Sequence, residues 1–254
     1  MLTNSLLIRL AVLFSLIFAR HVLAADVFFN GSASRISPDI QLRMMKSAPS
    51  LNPKVLGLAI SAIDCATQNG TRPGNSRPGN KLTVIDYSLP SIQPRLWVFD
   101  LTNGKLLFNE LVAHGKNSGK NYARRFSNRT GSLQSSLGLF QTKDTYNGSN
   151  GYSLRMEGLD KGFNDKSMER AIVFHGAPYV NVKHAKKFGH LGRSWGCPAV
   201  NNGIAKKVID TIKGEQFVFS YYPDKVWLHT SSLLNCHRNI LLASNEKNTS
   251  ADTF

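Results

Sequence analysis

Residues 95–114 read RLWVFDLTNGKLLFNELVAH. Two runs rich in aliphatic and aromatic side chains flank Asn103-Gly104. An Asn-Gly pair between such runs is the strongest short-range signal for a β-hairpin. The same texture extends in both directions. LTVIDYSL (82–89) comes before it, and LGLFQTK (137–143), YSLRMEG (152–158), RAIVFHG (170–176) and EQFVFSYY (215–222) come after it. Asn, Gly and Ser turns separate these runs. Strands therefore outnumber helices from Lys81 onward, and the expected class is mainly β. IAKKVIDTIK (204–213) reads as a short helix, and no internal repeat is evident.

The chain upstream of this region has a different character. Residues 38–70 read as helical. Asn52 is placed as an N-cap with Pro53 at the first helical position, and Gly70 follows the expected end. Val55, Leu56, Ala59, Ile60, Ile63 and Ala66 fall on one face at helical spacing, which is a packing stripe. TRPGNSRPGN (71–80) reads as an exposed, turn-rich linker. Residues 1–24, MLTNSLLIRLAVLFSLIFARHVLA, read as an export signal. Arg9 supplies the positive start, and Leu10 to Ala19 is shorter than the roughly 20 apolar residues a bilayer span needs. Val22 and Ala24 fit a cleavage site before Ala25. The expected division is a signal peptide (1–24), a helical segment and linker (25–80), a strand-rich domain (81–225) and a C-terminal tail (226–254), with the last stretch, roughly 229–254, expected to fray. The mature protein is expected to carry no stable membrane span and to work in the periplasm or cell envelope.

The 254 residues give room for one large domain with a small appendage. With 42% hydrophobic and 19% charged residues, the chain can bury a core, and wholesale disorder is excluded. Lys+Arg total 31 against 16 Asp+Glu, a formal charge of +15 that favours anionic partners. The chain shows no nucleic-acid module, and export also argues against such a partner. Three Cys are too few for a disulfide scaffold. In an oxidising compartment Cys65 and Cys236 could pair and leave Cys197 free; three separate thiols is the alternative.

The densest run of unusual residues is 175–200, HGAPYVNVKHAKKFGHLGRSWGCPAV. His175 ends an apolar strand, and Arg193-Ser194-Trp195-Gly196-Cys197-Pro198 closes the run. Glycines beside a Cys let the backbone bend and turn N–H groups toward one spot, as an oxyanion hole for acyl transfer requires. A free Cys has a pKa of about 8.5 and needs a base to become a competent nucleophile at neutral pH. His175, His184 and His190 are the candidates. His175 is favoured, because a strand end holds a side chain rigidly, whereas His184 sits in a basic stretch that reads as solvent-facing. An inert buried thiol is the competing reading of Cys197. The spacing of these residues matches no compact zinc site, so no metal or other cofactor is expected. The order His-before-Cys also argues against a papain-type peptidase.

The His-Gly-Ala-Pro segment followed by Ser-x-Gly-Cys resembles the L,D-transpeptidase catalytic domain of the YkuD type. The closer resemblance is to a divergent branch, the murein L,D-transpeptidase catalytic domain family. It runs over roughly 81–225 and includes VIDYSLPS, RLWVFDL, LVAHGKNSG, FSNRTGSLQSSLGLF, RMEGLDKGFN, HGAPYV and GRSWGCPAV. It implies a β-sandwich with a few short helices. It also implies that Cys197 is the nucleophile, that His175 is its base and that the Gly176 carbonyl orients the imidazole. Backbone N–H groups of Gly196 and Cys197 would face the oxyanion. Arg193, Ser194 and Trp195 would shape the pocket, and His114, Ser118, Ser136 and Gly138 are further candidates for the cleft. The chain departs from the commoner pattern at Trp195, where many members have His. It departs again at Pro198, at Ala199 in place of Asn or Arg, and in a longer His-to-Cys interval.

The reaction so implied is acyl transfer on a peptidoglycan tetrapeptide stem, with attack at the carbonyl of the third residue and loss of the terminal D-Ala. An amine acceptor gives L,D-transpeptidation, and water gives an L,D-carboxypeptidase. A wall-binding protein without catalysis is the alternative from a different class.

Overall fold

The Asn103-Gly104 hairpin is present in the computed structural model, which describes residues 34–68, 70 and 80–236. The export signal, most of the 71–80 linker and residues 237–254 lie outside the described residues. Strand β2 (Leu96–Asp100) pairs antiparallel with β3 (Lys105–Glu110), from Asp100↔Lys105 to Leu96↔Glu110. Gly104 takes φ +74° and its N–H bonds the Asp100 carbonyl at 2.8 Å. The turn therefore spans four residues, 101–104.

The other strands are β1 (Lys81–Asp86), β4 (Gly138–Gly148), β5 (Gly151–Gly158), β6 (Val173–Ala177), β7 (Ala199–Asn201) and β8 (Phe217–Tyr221). They form one eight-stranded sheet in the order β3-β2-β1-β8-β4-β5-β6-β7. The pairs β1–β8 and β6–β7 are parallel and the others antiparallel. Past β3 the chain crosses to the opposite edge, where the Ala113 N–H bonds the Ala199 carbonyl at 2.8 Å. The sheet thus nearly closes on itself.

Period-two alternation sorts its side chains into two cores. Leu82 and Val84, Trp97 and Phe99, and Phe217 and Phe219 face an outer cluster. Ile85, Leu96, Val98 and Val218 face an inner cluster that also holds Phe140, Phe174 and Cys197. Helix α1 (Pro38–Ser47) and helix α2 (Pro53–Gln68) cover the outer cluster. Asn52 Oδ1 accepts the Lys54 N–H at 2.9 Å, as an N-cap should. The stripe Val55, Leu56, Ala59, Ile60, Ile63 and Ala66 is buried. Each large aliphatic side chain there contributes about 1.5–3 kcal/mol, so an acidic residue at Ile60 would detach the helix. Helix α4 (Asn202–Ile212), expected over 204–213, buries Val208, Ile209 and Ile212 in the inner cluster.

The described start of the expected tail, residues 225–236, is ordered, so the stretch expected to fray from about 229 is structured as far as 236. These residues form α5 (Lys225–Thr230) and a turn. Trp227 is fully buried in the outer cluster and donates Nε1–H to Asp160 at 2.7 Å. Cys236 is disulfide-bonded to Cys65 of α2, which leaves Cys197 as the free thiol. Asp160 also accepts from Ser231 Oγ at 2.9 Å, and burial pushes its carboxyl up to about 6.

Candidate active site

Strands β6 and β7 run side by side because His175 pairs with Ala199 and Gly176 with Val200. The residues just before β7 therefore lie beside the start of β6. Cys197 is 7% exposed, and its sulfur accepts the Val173 N–H at 3.4 Å. Its S–H points to the Ala171 carbonyl at 3.7 Å. Burial pushes the thiol pKa up, while the Val173 N–H and the Arg170 charge oppose that shift. The thiol is therefore protonated at neutral pH and needs a base.

His175 stands two residues beyond Val173 on the same face of β6. Its Nδ1 lies 2.8 Å from the Gly176 carbonyl. A carbonyl only accepts, so Nδ1 carries the proton and Nε2 holds the lone pair. Burial lowers the imidazole pKa. At neutral pH the site thus holds a neutral imidazole with a basic Nε2 near a protonated thiol. Among the described residues no hydrogen bond joins the ring to the sulfur. Gly176 is required for packing: a Cβ there would meet Asn202 Oδ1 at 2.7 Å and Ala205 Cβ at 2.8 Å, both on α4.

The loop before Cys197 is fixed by Ser194. Its hydroxyl donates to the Cys197 carbonyl at 2.6 Å and accepts the Gly196 N–H at 3.1 Å. The Gly196 N–H is therefore engaged within the loop and is not free to face an oxyanion, which corrects its expected role. Gly196 adopts φ +131°, and a Cβ would press on the Gln134 carbonyl and on Ile172, both at 2.9 Å. Its carbonyl accepts from Ser135 Oγ at 3.0 Å. Arg193 donates to the Gly119 carbonyl at 3.1 Å, which ties the loop to residues 116–119. Trp195 is 75% exposed at the loop's tip.

Three residues expected to line the cleft are buried and hydrogen-bonded to the protein. His114 and Ser118 are fully buried, so neither can touch a substrate. Arg95 Nη2 donates to His114 Nδ1 at 2.7 Å. Burial and the Arg95 charge push His114 down to about 3. Ser118 Oγ accepts the Ser135 N–H at 2.9 Å. Ser136 is 4% exposed and donates to the Ser127 carbonyl at 2.9 Å. Gly138 opens β4 against Asp160. His184, on α3 (Val182–Phe188), packs on Phe188 at 4.5 Å between ring centroids. His190 Nδ1 lies 2.5 Å from the Leu191 carbonyl. Among the described residues neither has a hydrogen bond to the Cys197 loop.

Sequence reading missed Arg170. Its guanidinium donates to the Ser127 carbonyl (2.6 Å), Ser136 Oγ (2.5 Å), Ser132 Oγ (3.1 Å) and the Gln134 carbonyl (2.7 Å). It thereby anchors the loop packed on Gly196, one residue before the Ala171 carbonyl that meets the thiol. Arg95 is fully buried and holds the Leu89 and Val112 carbonyls in the same manner. A cleft of about 170 Å³, lined by Tyr146, Arg155, Met168 and Ala171–Val173, opens beside Cys197.

The site thus sets a buried thiol on a glycine loop beside the strand that holds His175. The family model described as L,D-transpeptidase catalytic domain matches residues 47–221, and the chain belongs to that family. Among solved structures it is similar to an L,D-transpeptidase from Mycobacterium smegmatis (14% identity, 56% of this chain and 59% of that one, TM-score 0.36). It is also similar to a helical cell shape determining protein from Campylobacter jejuni (14%, 56% of that chain against 65% of this one, TM-score 0.36). A third is an L,D-transpeptidase from Xylanimonas cellulosilytica (18%, 70% and 77%, TM-score 0.33). The chain spans less than two thirds of the length of the first two. Comparison with curated proteins gives no match.

Proposed function

We propose that this chain is an exported cysteine acyltransferase acting on peptidoglycan stem peptides in the periplasm or cell envelope. The observation that carries the reading is the β6–β7 register, which sets the loop of the free thiol beside the strand that holds His175, whose tautomer leaves Nε2 basic. Nε2 takes the Sγ proton as the sulfur attacks the carbonyl of the third stem residue. The Cys197 N–H faces the developing oxyanion. The Cys–acyl thioester forms, the bond to the terminal D-Ala breaks, and the proton moves from the imidazolium to the departing amine. A side-chain amine of a second stem then attacks the thioester, loses its proton through Nε2, and the thiolate is reprotonated.

Charge supports an anionic polymer as partner. Residues 111–143 and 170–209 contain no Asp or Glu, and both stretches build the Cys197 face. Lys116, Lys120, Arg124, Arg125, Lys183, Lys186 and Lys187 lie within them. The test is incubation of the mature protein with disaccharide-tetrapeptides, read by mass spectrometry beside Cys197→Ala. Loss of D-Ala with new dimers, absent in the variant, is the expected result. Tripeptide alone would make the enzyme an L,D-carboxypeptidase. Muropeptide binding without turnover in either protein would replace the enzyme with a wall-binding module.

A further inference from the structure

A second cavity, of about 380 Å³, opens beside the candidate active site. It is lined by Asn117, Ser127, Arg129, Thr130, Gly131, Ser132 and Gln134. Apart from Gly131 the lining side chains are polar. Gln134 forms the shared wall, because its carbonyl abuts Gly196, the residue before Cys197. The floor is rigid: Arg170 donates to the Ser127 and Gln134 carbonyls and to Ser132 Oγ. Asn117 closes another side, donating Nδ2–H to the Ser132 carbonyl at 3.0 Å and its backbone N–H to the Leu133 carbonyl at 3.1 Å.

Arg129 is the charged group of the lining. Its guanidinium has no hydrogen bond or ion pair among the described residues, whereas Arg170 makes four hydrogen bonds. The carboxylates nearest the rim are already engaged. Glu169 accepts from Thr130 Oγ1 at 2.8 Å, and Asp165 accepts from Asn128 Nδ2 at 2.7 Å. The cavity thus presents an uncommitted guanidinium among hydroxyl and amide groups. Such a fork matches a carboxylate in bidentate geometry.

We propose that this cavity is a carboxylate-binding subsite, with Arg129 its anchor, that holds a free carboxylate of the acyl-donor stem while the adjacent carbonyl lies at Cys197. The site itself stands on the cavity and the unpaired guanidinium; its use for a stem rests on the function proposed above.

Two measurements separate these claims. The first titrates glutarate, with glutaramide as control, into the protein and follows the Arg129 Nε–H signal by NMR, assigned by its loss in Arg129→Ala. Glutarate should shift that signal and glutaramide should not. Absence of a glutarate shift, or an equal response to both, would overturn the subsite and leave the cysteine chemistry untouched. The second titrates the Cys197→Ala variant, which holds stems without turnover, with a tetrapeptide stem and with its fully amidated counterpart. Arg129→Ala in that background should weaken the acid stem about tenfold and leave the amidated stem unchanged. Equal weakening of both stems would overturn carboxylate recognition. A glutarate response with no stem binding would overturn the stem assignment and the peptidoglycan reading together.

Discussion

Replacing Arg170 with Met should separate two contributions to the site. Met keeps much of the aliphatic volume but removes four hydrogen bonds to residues 127–136. It takes from the Gln134 carbonyl its Arg170 donor, while the Ser127 carbonyl keeps Ser136 Oγ. Hydrogen bonds from a charged donor are worth about 1.5–3 kcal/mol each when isolated. The guanidinium is only half-buried, and four bonds from one group are not additive, so the expected loss is roughly 3–4 kcal/mol. For a domain of this size that lowers Tm by roughly 6–16 °C. The positive charge also opposes the burial that raises the Cys197 thiol pKa. The pH midpoint of iodoacetamide alkylation should therefore move further up in Arg170→Met. Arg170→Lys keeps the charge and loses the planar fork, so it should restore the alkylation midpoint while recovering little of the Tm. A Tm within 2 °C of the parent in Arg170→Met would refute the anchoring role. Identical alkylation midpoints in the Met and Lys variants would refute the electrostatic one.

Ser194→Ala removes the hydroxyl that joins the Gly196 N–H to the Cys197 carbonyl, and should cost about 1–3 kcal/mol in chemical denaturation; an unchanged midpoint would show that the loop holds itself. For donor turnover, kcat/KM should rise as pH climbs through a value below 6.5, where His175 loses its proton, and stay level across neutral pH until the raised thiol begins to ionise. A rate that falls as His175 deprotonates would instead indicate a thiolate–imidazolium pair. Asp160, at about 6 in the folded chain against 3.8 ordinarily, keeps a proton the unfolded chain has released. Its contribution is therefore fully present below about pH 4 and is lost as pH rises through 6, a span of roughly 3 kcal/mol. Asp160→Asn should flatten that fall, and a stability difference between the two proteins that is constant from pH 4 to 7 would remove Asp160 as its source.

The strands were legible because both faces of the sheet are buried and their side chains alternate between two apolar cores. Aliphatic and aromatic runs broken by turn residues report that arrangement directly. Three elements escaped for distinct reasons. β7 is only Ala199–Asn201 and follows Pro198, too short to show any alternation. α3 buries no side chain, so its sequence VKHAKKF carries no apolar stripe. α5 is only six residues, KVWLHT, and its fully buried side chain is Trp227, whose indole reaches the buried Asp160. So short a run shows no helical periodicity, and the partner of Trp227 lies 67 residues upstream.

At the site, Cys197 and His175 stood out by residue type; the expected strand end is the middle of β6, where backbone pairing on both sides fixes the imidazole. The supporting polar residues were misassigned because sequence does not say which way a loop side chain points. His114 and Ser118, expected at the cleft, are both fully buried. The two arginines behind them were passed over because Arg is usually read as surface charge. Backbone accounting explains their burial. Residues 111–136 are largely irregular, so many of their carbonyls lack a ladder partner, and a buried carbonyl must find a donor. A guanidinium offers five N–H groups in a fixed plane and can satisfy several carbonyls at once. Arg95 immediately precedes β2, and Arg170 stands three residues before β6. In each case a rigid strand begins where the fork must be held, and the fork faces a long irregular segment. An Arg directly ahead of an apolar strand, in a chain whose long loops are rich in Gly and Ser, is therefore a readable sign of a loop anchor. At Arg170 that anchor also sets the wall against which the Cys197 loop is built.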